Sequence, residues 1–240
     1  MKTEQASPLC GRRVLVAVSG SIAAVKSPLL VSALIKAGAE VRCLVTTSGA
    51  ALVSPVALAS LSRHRCYLEA DQWNPAASRP LHIELAEWAD LTIVAPLSAS
   101  SLARWSQGSA DGLLASVLLA TEVPVIAAPA MNTAMWRHPA VQRNWRRIQD
   151  FPGVVPLLPE SGLLACDRVG DGRMADPLLI ELAAASVFSR GPGAPAMNLD
   201  WSGMSVLVSA GPTQEPIDPA RFLSNRSSGR MGVLLSLIHI

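Results

Sequence analysis

Short apolar runs and longer stretches with helical spacing alternate along the first two thirds of the chain. Arg13–Val18, Glu40–Val45, Leu91–Ala95 and Val123–Ala128 predict buried strands, and Val154–Leu158 predicts a fifth. Helical spacing falls on Ile22–Ala37, Ala50–Leu61, Leu81–Trp88, Leu102–Gln107, Asp111–Ala120 and Pro139–Asp150. Gly38 closes the first helix, and Pro28 interrupts it, with Ser27 as the cap of a restarted turn. Strands alternating with helices predict an α/β fold, a doubly wound and mainly parallel sheet. Arg63–Pro80 is polar and reads as irregular. Ser189–Gly203 is rich in Gly and Pro and predicts a linker. A further strand, Ser205–Ser209, starts a second unit too short to be an independent domain.

Composition narrows the partners. Half of the 240 residues are apolar and 16% are charged, so the chain buries a substantial core. A net charge of +2 supplies no polyanion field, so neither nucleic acid nor an anionic membrane is expected. Leu113–Met135 is apolar but broken by Glu122 and Pro124, and reads as helix then strand instead of a membrane span. No signal peptide is expected, because the first ten residues lack a long apolar core. The cysteines Cys10, Cys43, Cys66 and Cys166 form no CxxC pair, so no metal site is expected and reduced thiols in the cytoplasm are.

Polar residues cluster just past the predicted strands, where open α/β sheets bind ligands. Gly20-Ser21 joins the first strand to the first helix, and is either a plain turn or an anion site suited to phosphate. No GxGxxG and no GxxxxGK[ST] is present. Thr46–Ser48 and Ser98–Ser101 are two more hydroxyl clusters. Three such loops on one sheet edge would cradle a phosphorylated ligand. In Pro129–Trp136 (PAMNTAMW), too short for a helix, Asn132 is a lone amide between methionines. It is a turn residue or the group that fixes a ligand carboxylate or ring edge. His82 opens HIELAEWAD, and a histidine there is a general base or a structural cap. Ser161–Pro177 contains three glycines and reads as a lid loop. Its Cys166 is a hydrogen donor or a small buried residue, and its Arg168 and Arg173 could neutralise an anionic substrate. Ser209–Gly232 follows a strand with a Gly- and Pro-rich loop carrying Arg221, Asn225, Arg226 and Arg230, which suggests a nucleotide or phosphate site.

Together these segments resemble the bifunctional phosphopantothenoylcysteine decarboxylase/phosphopantothenate–cysteine ligases of coenzyme A biosynthesis, within the homo-oligomeric flavin-containing Cys decarboxylases. The matching stretches are Gly20–Pro28, His82–Asp90, Ala95–Arg104, PAMNTAMW and Gly162–Pro177, with Ala210–Gly232 similar to the opening of the ligase domain. The resemblance implies a flavodoxin-like FMN-binding decarboxylase domain over 1–188, a linker over 189–204 and the start of a truncated second α/β domain, the ligase, over 205–240. It implies FMN contacts at Gly20, Ser21, Ile22, Thr46, Thr47, Ser48, Ser98, Ala99, Ser100, Ser101 and Ala130. It makes His82 the active-site base, places Asn132 and Met135 at the substrate, and makes Cys166 the residue that returns hydrogen to the product. Asn225 matches a ligase residue, and CTP and Mg²⁺ belong to a complete ligase domain only. Ser100-Ser101 stands where Asn-Thr is usual, Val25 where tyrosine is usual, and Val233–Ile240 departs from the family's helix.

The implied reaction converts 4′-phosphopantothenoylcysteine to 4′-phosphopantetheine. In the chemistry the resemblance implies, FMN would accept a hydride equivalent from the cysteinyl group, the resulting C=S would delocalise charge as carbon dioxide leaves, and the reduced flavin and Cys166 would return the hydrogens, so no net oxidation occurs. The implied assembly is a trimer or a multiple of one, with active sites between subunits. Rival readings are a peptidyl-cysteine decarboxylase, a flavin prenyltransferase, a non-catalytic flavin-binding regulatory subunit and a flavodoxin-like electron carrier. The ligase opening argues against the first two, the His82–Cys166 pair against the third, and the near-neutral charge against the last.

Overall fold

A computed structural model describes residues 7–75, 78–163, 169–189, 205, 207–218, 221–225, 227, 229 and 232. The chain forms two compact units, Met1–Glu181 and Leu182–Ile240. The first is built on six parallel strands: β1 Arg13–Val18, β2 Glu40–Val45, β3 Cys66–Leu68, β4 Leu91–Leu97, β5 Val125–Pro129 and β6 Val154–Pro156. Their spatial order is β3-β2-β1-β4-β5-β6. Without the three-residue edge strand β3, the remaining five have the flavodoxin order, with the reversal between β1 and β4. The expected doubly wound parallel sheet is therefore present. Its centre is apolar on both faces: β4 is buried throughout, and Val14 to Val18 are fully buried.

Helices cover both faces. On one lie α1 Ser27–Lys36 and α3 Pro55–Ser62, with the short α2 Thr47–Ala50 at the end of β2. On the other lie α4 Leu81–Trp88, α5 Ala99–Gln107, α6 Leu113–Ala120 and α8 Pro139–Gln149, with α7 Thr133–Arg137 leading into α8. Trp136 and Trp145 pack edge to face there, with centroids 5.4 Å apart. An antiparallel hairpin follows, β7 Glu160–Leu163 and β8 Val169–Arg173, and then α9 Pro177–Ser189.

Several sequence expectations are corrected. β3 lies inside the segment read as irregular. It has only three residues, too few to show a period. The single helix expected over Ala50–Leu61 is two, because Ser54 caps a restart with Pro55 in its first turn. Ile22–Lys26 is a 3₁₀ turn, and Ser27 does not cap α1; its hydroxyl donates to Ala95 O at 3.1 Å. Thr133–Trp136 of PAMNTAMW open a five-residue helix that ends at Arg137, and the described ends of Ser161–Pro177 pair as the antiparallel strands β7 and β8. In the second unit, residues 205 and 207–209 form no strand. The Gly- and Pro-rich stretch instead holds β9 Gln214–Asp218 and β10 Arg221–Ser224, an antiparallel pair in which each strand has one unpaired edge that tolerates Pro216. The expected linker over 189–204 lies outside the described residues except for Ser189, the last residue of α9.

The start of the sheet is pinned electrostatically. Asp90, just before β4, receives the backbone N–H of Arg13 at 2.9 Å and its guanidinium at 2.7 and 3.3 Å. The Arg13 guanidinium holds the Asp90 carboxyl below the usual carboxylate range. A depressed folded-state value gives stability that is present above the unfolded pKa of about 3.9 and is lost as pH falls through the folded one. Both side chains are partly exposed, so the pair contributes on the order of 1 kcal/mol. We expect Asp90→Asn to lower Tm by a few degrees at pH 7, measured by thermal denaturation, with the deficit shrinking below about pH 4. An equal deficit at every pH would contradict this assignment.

Candidate functional site

Four loops leave the C-terminal edge of the sheet, and each carries a polar residue that caps the helical turn after it. Ser21 accepts from Ala23 N–H at 3.4 Å after β1, and Thr46 Oγ1 accepts from Gly49 N–H at 3.1 Å after β2. Ser98 Oγ accepts from Ser101 N–H at 3.3 Å after β4, and Asn132 Oδ1 accepts from Ala134 N–H at 2.8 Å after β5. The hydroxyls that looked like ligand groups thus also satisfy helix-start N–H groups. Capping fixes their rotamers and so presents the loops in one geometry.

Ser19, which the sequence reading passed over, ties the two central loops together. Its buried hydroxyl donates to Pro96 O at 2.7 Å and accepts from Ser98 N–H at 2.7 Å. The loops after β1 and β2 touch at backbone level. A Cβ on Gly20 would overlap Ser48 Cβ, and one on Gly49 would lie 2.7 Å from Val18 O. The motif needs glycine for close approach here.

Two adjoining cavities open where the strand order reverses. The larger, about 650 Å³, is mainly apolar; Ile22, Val25, Leu52, Ala130 and Met135 help line it, with Asn132 at its edge. The smaller, about 330 Å³, is lined by Thr46, Thr47, Ser48, Ser98, Ser100 and Ser101. Gly20, Ser98 and Ser100 belong to both. An apolar compartment joined to a hydroxyl-lined one fits a ligand with a flat apolar ring system and a phosphate, as FMN is. Every expected FMN-contacting residue lines one of these cavities. Sequence reasoning missed Lys26, Leu52 and Met174 in the first and Glu69, Arg104 and Asp111 in the second. These lie on helices or in loops whose own pattern carries no ligand signal.

The hairpin closes one side of the larger cavity. β8 lies against the PAMNTAMW loop, where Met131 N–H donates to Gly172 O at 3.0 Å. A Cβ on Gly172 would overlap Met131 O, so no larger residue allows this contact. Gly172, Arg173 and Met174 then face the cavity. Asp171 is held by the Ser161 hydroxyl and by Arg137 at 3.0 Å, and these bonds keep its carboxyl below the usual range.

Two expected site residues are not brought in. His82 sits in the first turn of α4 and lines neither cavity; its Nδ1 is buried with no hydrogen-bond partner among the described residues. Cys166 and Arg168 lie outside the described residues, between the strands of the hairpin. Of the other thiols, burial pushes Cys43 up to about 12 and Cys66 to about 11, which leaves both protonated at neutral pH. Asn225, in the second unit, donates from Nδ2 to Thr213 Oγ1 at 3.2 Å and accepts from Ser227 N–H at 3.1 Å. No cluster of three or more His, Cys, Asp or Glu that could hold a metal occurs among the described residues, and no helix there is long and apolar enough to cross a membrane.

Comparison with known proteins bears on the same elements. The coenzyme A biosynthesis bifunctional protein CoaBC of Bacillus subtilis is 43% identical over 230 residues, which is 95% of this chain and 54% of that protein. Its Escherichia coli K12 counterpart is 40% identical over 229 residues, again 95% and 54%. The chain therefore spans about half the length of the curated relatives it matches. Among solved structures, a cysteine-to-serine mutant of PPC decarboxylase complexed with pantothenoylaminoethenethiol superposes with TM-score 0.67 at 34% identity, covering 75% of this chain and 100% of that one. The FMN binding protein AtHal3 superposes with TM-score 0.63 at 34% identity, covering 81% and 99%. The family model for the DNA/pantothenate metabolism flavoprotein C-terminal domain matches residues 201–238. The flavoprotein model matches residues 2–182, which include the entire parallel sheet and every residue lining the two cavities, and the chain belongs to the flavoprotein family.

Proposed function

We propose that this chain is an FMN-dependent decarboxylase that converts 4′-phosphopantothenoylcysteine to 4′-phosphopantetheine. The observation that carries the reading is the paired cavity at the strand-order reversal, with Asn132 at the rim of its apolar part and hydroxyls lining its polar part. The relatives named for coenzyme A biosynthesis and PPC decarboxylase support the substrate class. Bound flavin would supply the two-electron acceptor that amino-acid side chains lack.

The chain's own residues have separable tasks in this reading. Gly20, Thr46–Ser48, Ser98, Ser100 and Ser101 hold the phosphate end, and Ser21, Ile22, Ala99 and Ala130 line the ring compartment. Asn132 orients the substrate carboxylate, with its amide plane set by the Ala134 N–H, and Met135 closes over it. His82 assists removal of the substrate thiol proton, and Cys166 gives a proton to the decarboxylated ene-thiol as the two electrons held by bound flavin would return to it, so no net oxidation results. His82 lines neither of the two cavities described above, and in this reading it meets the substrate in a site completed by another copy. A homo-oligomer, a trimer or a multiple of one, is supported by Ile22, Val25 and Leu29, which are 57%, 59% and 64% exposed beside the larger cavity.

We assign residues 1–188 to the decarboxylase domain, 189–204 to a linker and 205–240 to the opening of a ligase domain. Asn225 belongs to that opening, and CTP and Mg²⁺ are reserved for a complete ligase domain. The compartment assigned is the cytoplasm, which suits the free thiols Cys10, Cys43 and Cys66.

Flavin-loaded protein given 4′-phosphopantothenoylcysteine is expected to release carbon dioxide and 4′-phosphopantetheine, and His82→Asn is expected to slow release roughly 10²- to 10⁴-fold. No carbon dioxide from the flavin-loaded protein would refute the reading. Cys166→Ser is expected to accumulate an oxidised ene-thiol in place of 4′-phosphopantetheine, detectable by mass spectrometry. Normal product from that variant would remove Cys166 from the mechanism.

A further inference from the structure

The larger cavity is cationic. Lys26 and Arg173 line it, and no Asp or Glu does. Arg173 is half-buried at the end of β8, yet no carboxylate among the described residues pairs with it. The nearby acids make their hydrogen bonds elsewhere: Asp171 with Ser161 and Arg137, and Glu160, the cross-strand neighbour of Arg173, with the Asp176 N–H at 2.9 Å. A guanidinium drawn partly out of water without a directly bonded carboxylate gains from an anion that arrives. It is also held in position. A Cβ on Gly162 would collide with Arg173 Nη1, so the side chain lies flat over the bare backbone of β7. That strand is on the far side of β8 from Met131, and β8 is one hydrogen-bonded spacing from the PAMNTAMW loop.

The proposed substrate has two anionic groups, a carboxylate that leaves and a phosphate that stays. A guanidinium ion-paired with the carboxylate would stabilise the ground state more than the transition state, because that charge disperses as carbon dioxide departs. A neutral amide such as Asn132 orients the carboxylate without that penalty. A phosphate monoester keeps its charge throughout and matches the donor fork of arginine. Arg173 and Asn132 are separate residues lining one cavity, so both ends of one substrate can be met there.

We propose that Arg173 binds the substrate's phosphate and selects phosphorylated over unphosphorylated acyl-cysteine substrates. This rests on the decarboxylase reading. The test compares 4′-phosphopantothenoylcysteine with pantothenoylcysteine as substrates, and 4′-phosphopantetheine with pantetheine as calorimetric ligands, on flavin-loaded protein. The wild type is expected to favour each phosphorylated compound. Arg173→Gln is expected to shrink that preference on the order of 10- to 100-fold, mainly through KM, with Arg173→Lys recovering part of it. Flavin absorbance reports that each variant retains its fold. A wild type without the preference, or a variant in which both compounds of a pair weaken in parallel, would overturn the proposal. Phosphate-selective binding without carbon dioxide release would instead overturn the decarboxylase reading and leave the Arg173 assignment standing.

Discussion

The geometry of the site depends on one buried hydroxyl. Ser19 sits where β1 ends, and it joins the loop of β1 to the loop of β4 by two hydrogen bonds of 2.7 Å. These are the strands between which the order reverses, so their loops diverge and leave a crevice. Without a tie across it the crevice would have two independently moving walls. Ser27, buried at the start of α1, adds a second tie to Ala95 O. Gly20 and Gly49 then let the β2 loop close against the β1 loop. The hydroxyl-lined cavity is the space that remains between three loops locked in this way.

The apolar cavity depends on a different contact. Its outer wall is a hairpin that pairs with itself and touches the sheet's loops through Gly172 and Met131. The glycine brings backbone against backbone, and this carries Arg173 and Met174 to the cavity and flanks Asn132. Two walls of different origin therefore meet at one amide: a rigid one built from strand ends and a docked one built from a hairpin. That division suits a site in which a tightly held cofactor rests on the rigid wall and an exchanging substrate meets the docked one.

Much of this was legible in the sequence because burial on both faces writes itself as unbroken apolar runs. β1, β4 and β5 have that signature along most of their length, β2 only over Cys43–Val45, and the polar clusters after all four line the cavities. Elements stabilised by something other than their own periodicity were hidden. β3 has three residues, and the β7–β8 and β9–β10 pairs are rich in glycine, proline and charge, so pairing alone defines them. Ser19 gave no signal because a serine after a strand is ordinary; only the β4 loop beside it makes it structural. Asn132 was singled out for its isolation, and its capping role explains why an amide fits there. His82 illustrates the converse: its motif points to chemistry, while its place on α4 leaves it outside the lining of both described cavities.

The central claim is that the paired cavities hold a flavin whose phosphate sits among the hydroxyls. The most direct test is the visible absorbance of the purified protein, followed by titration of the flavin-stripped protein with FMN and with riboflavin. The account predicts a flavin spectrum, release of about one FMN per chain on denaturation, and much tighter rebinding of FMN than of riboflavin, because the hydroxyl loops meet only the phosphate. A colourless protein that takes up neither compound, or one that binds both equally, would contradict it.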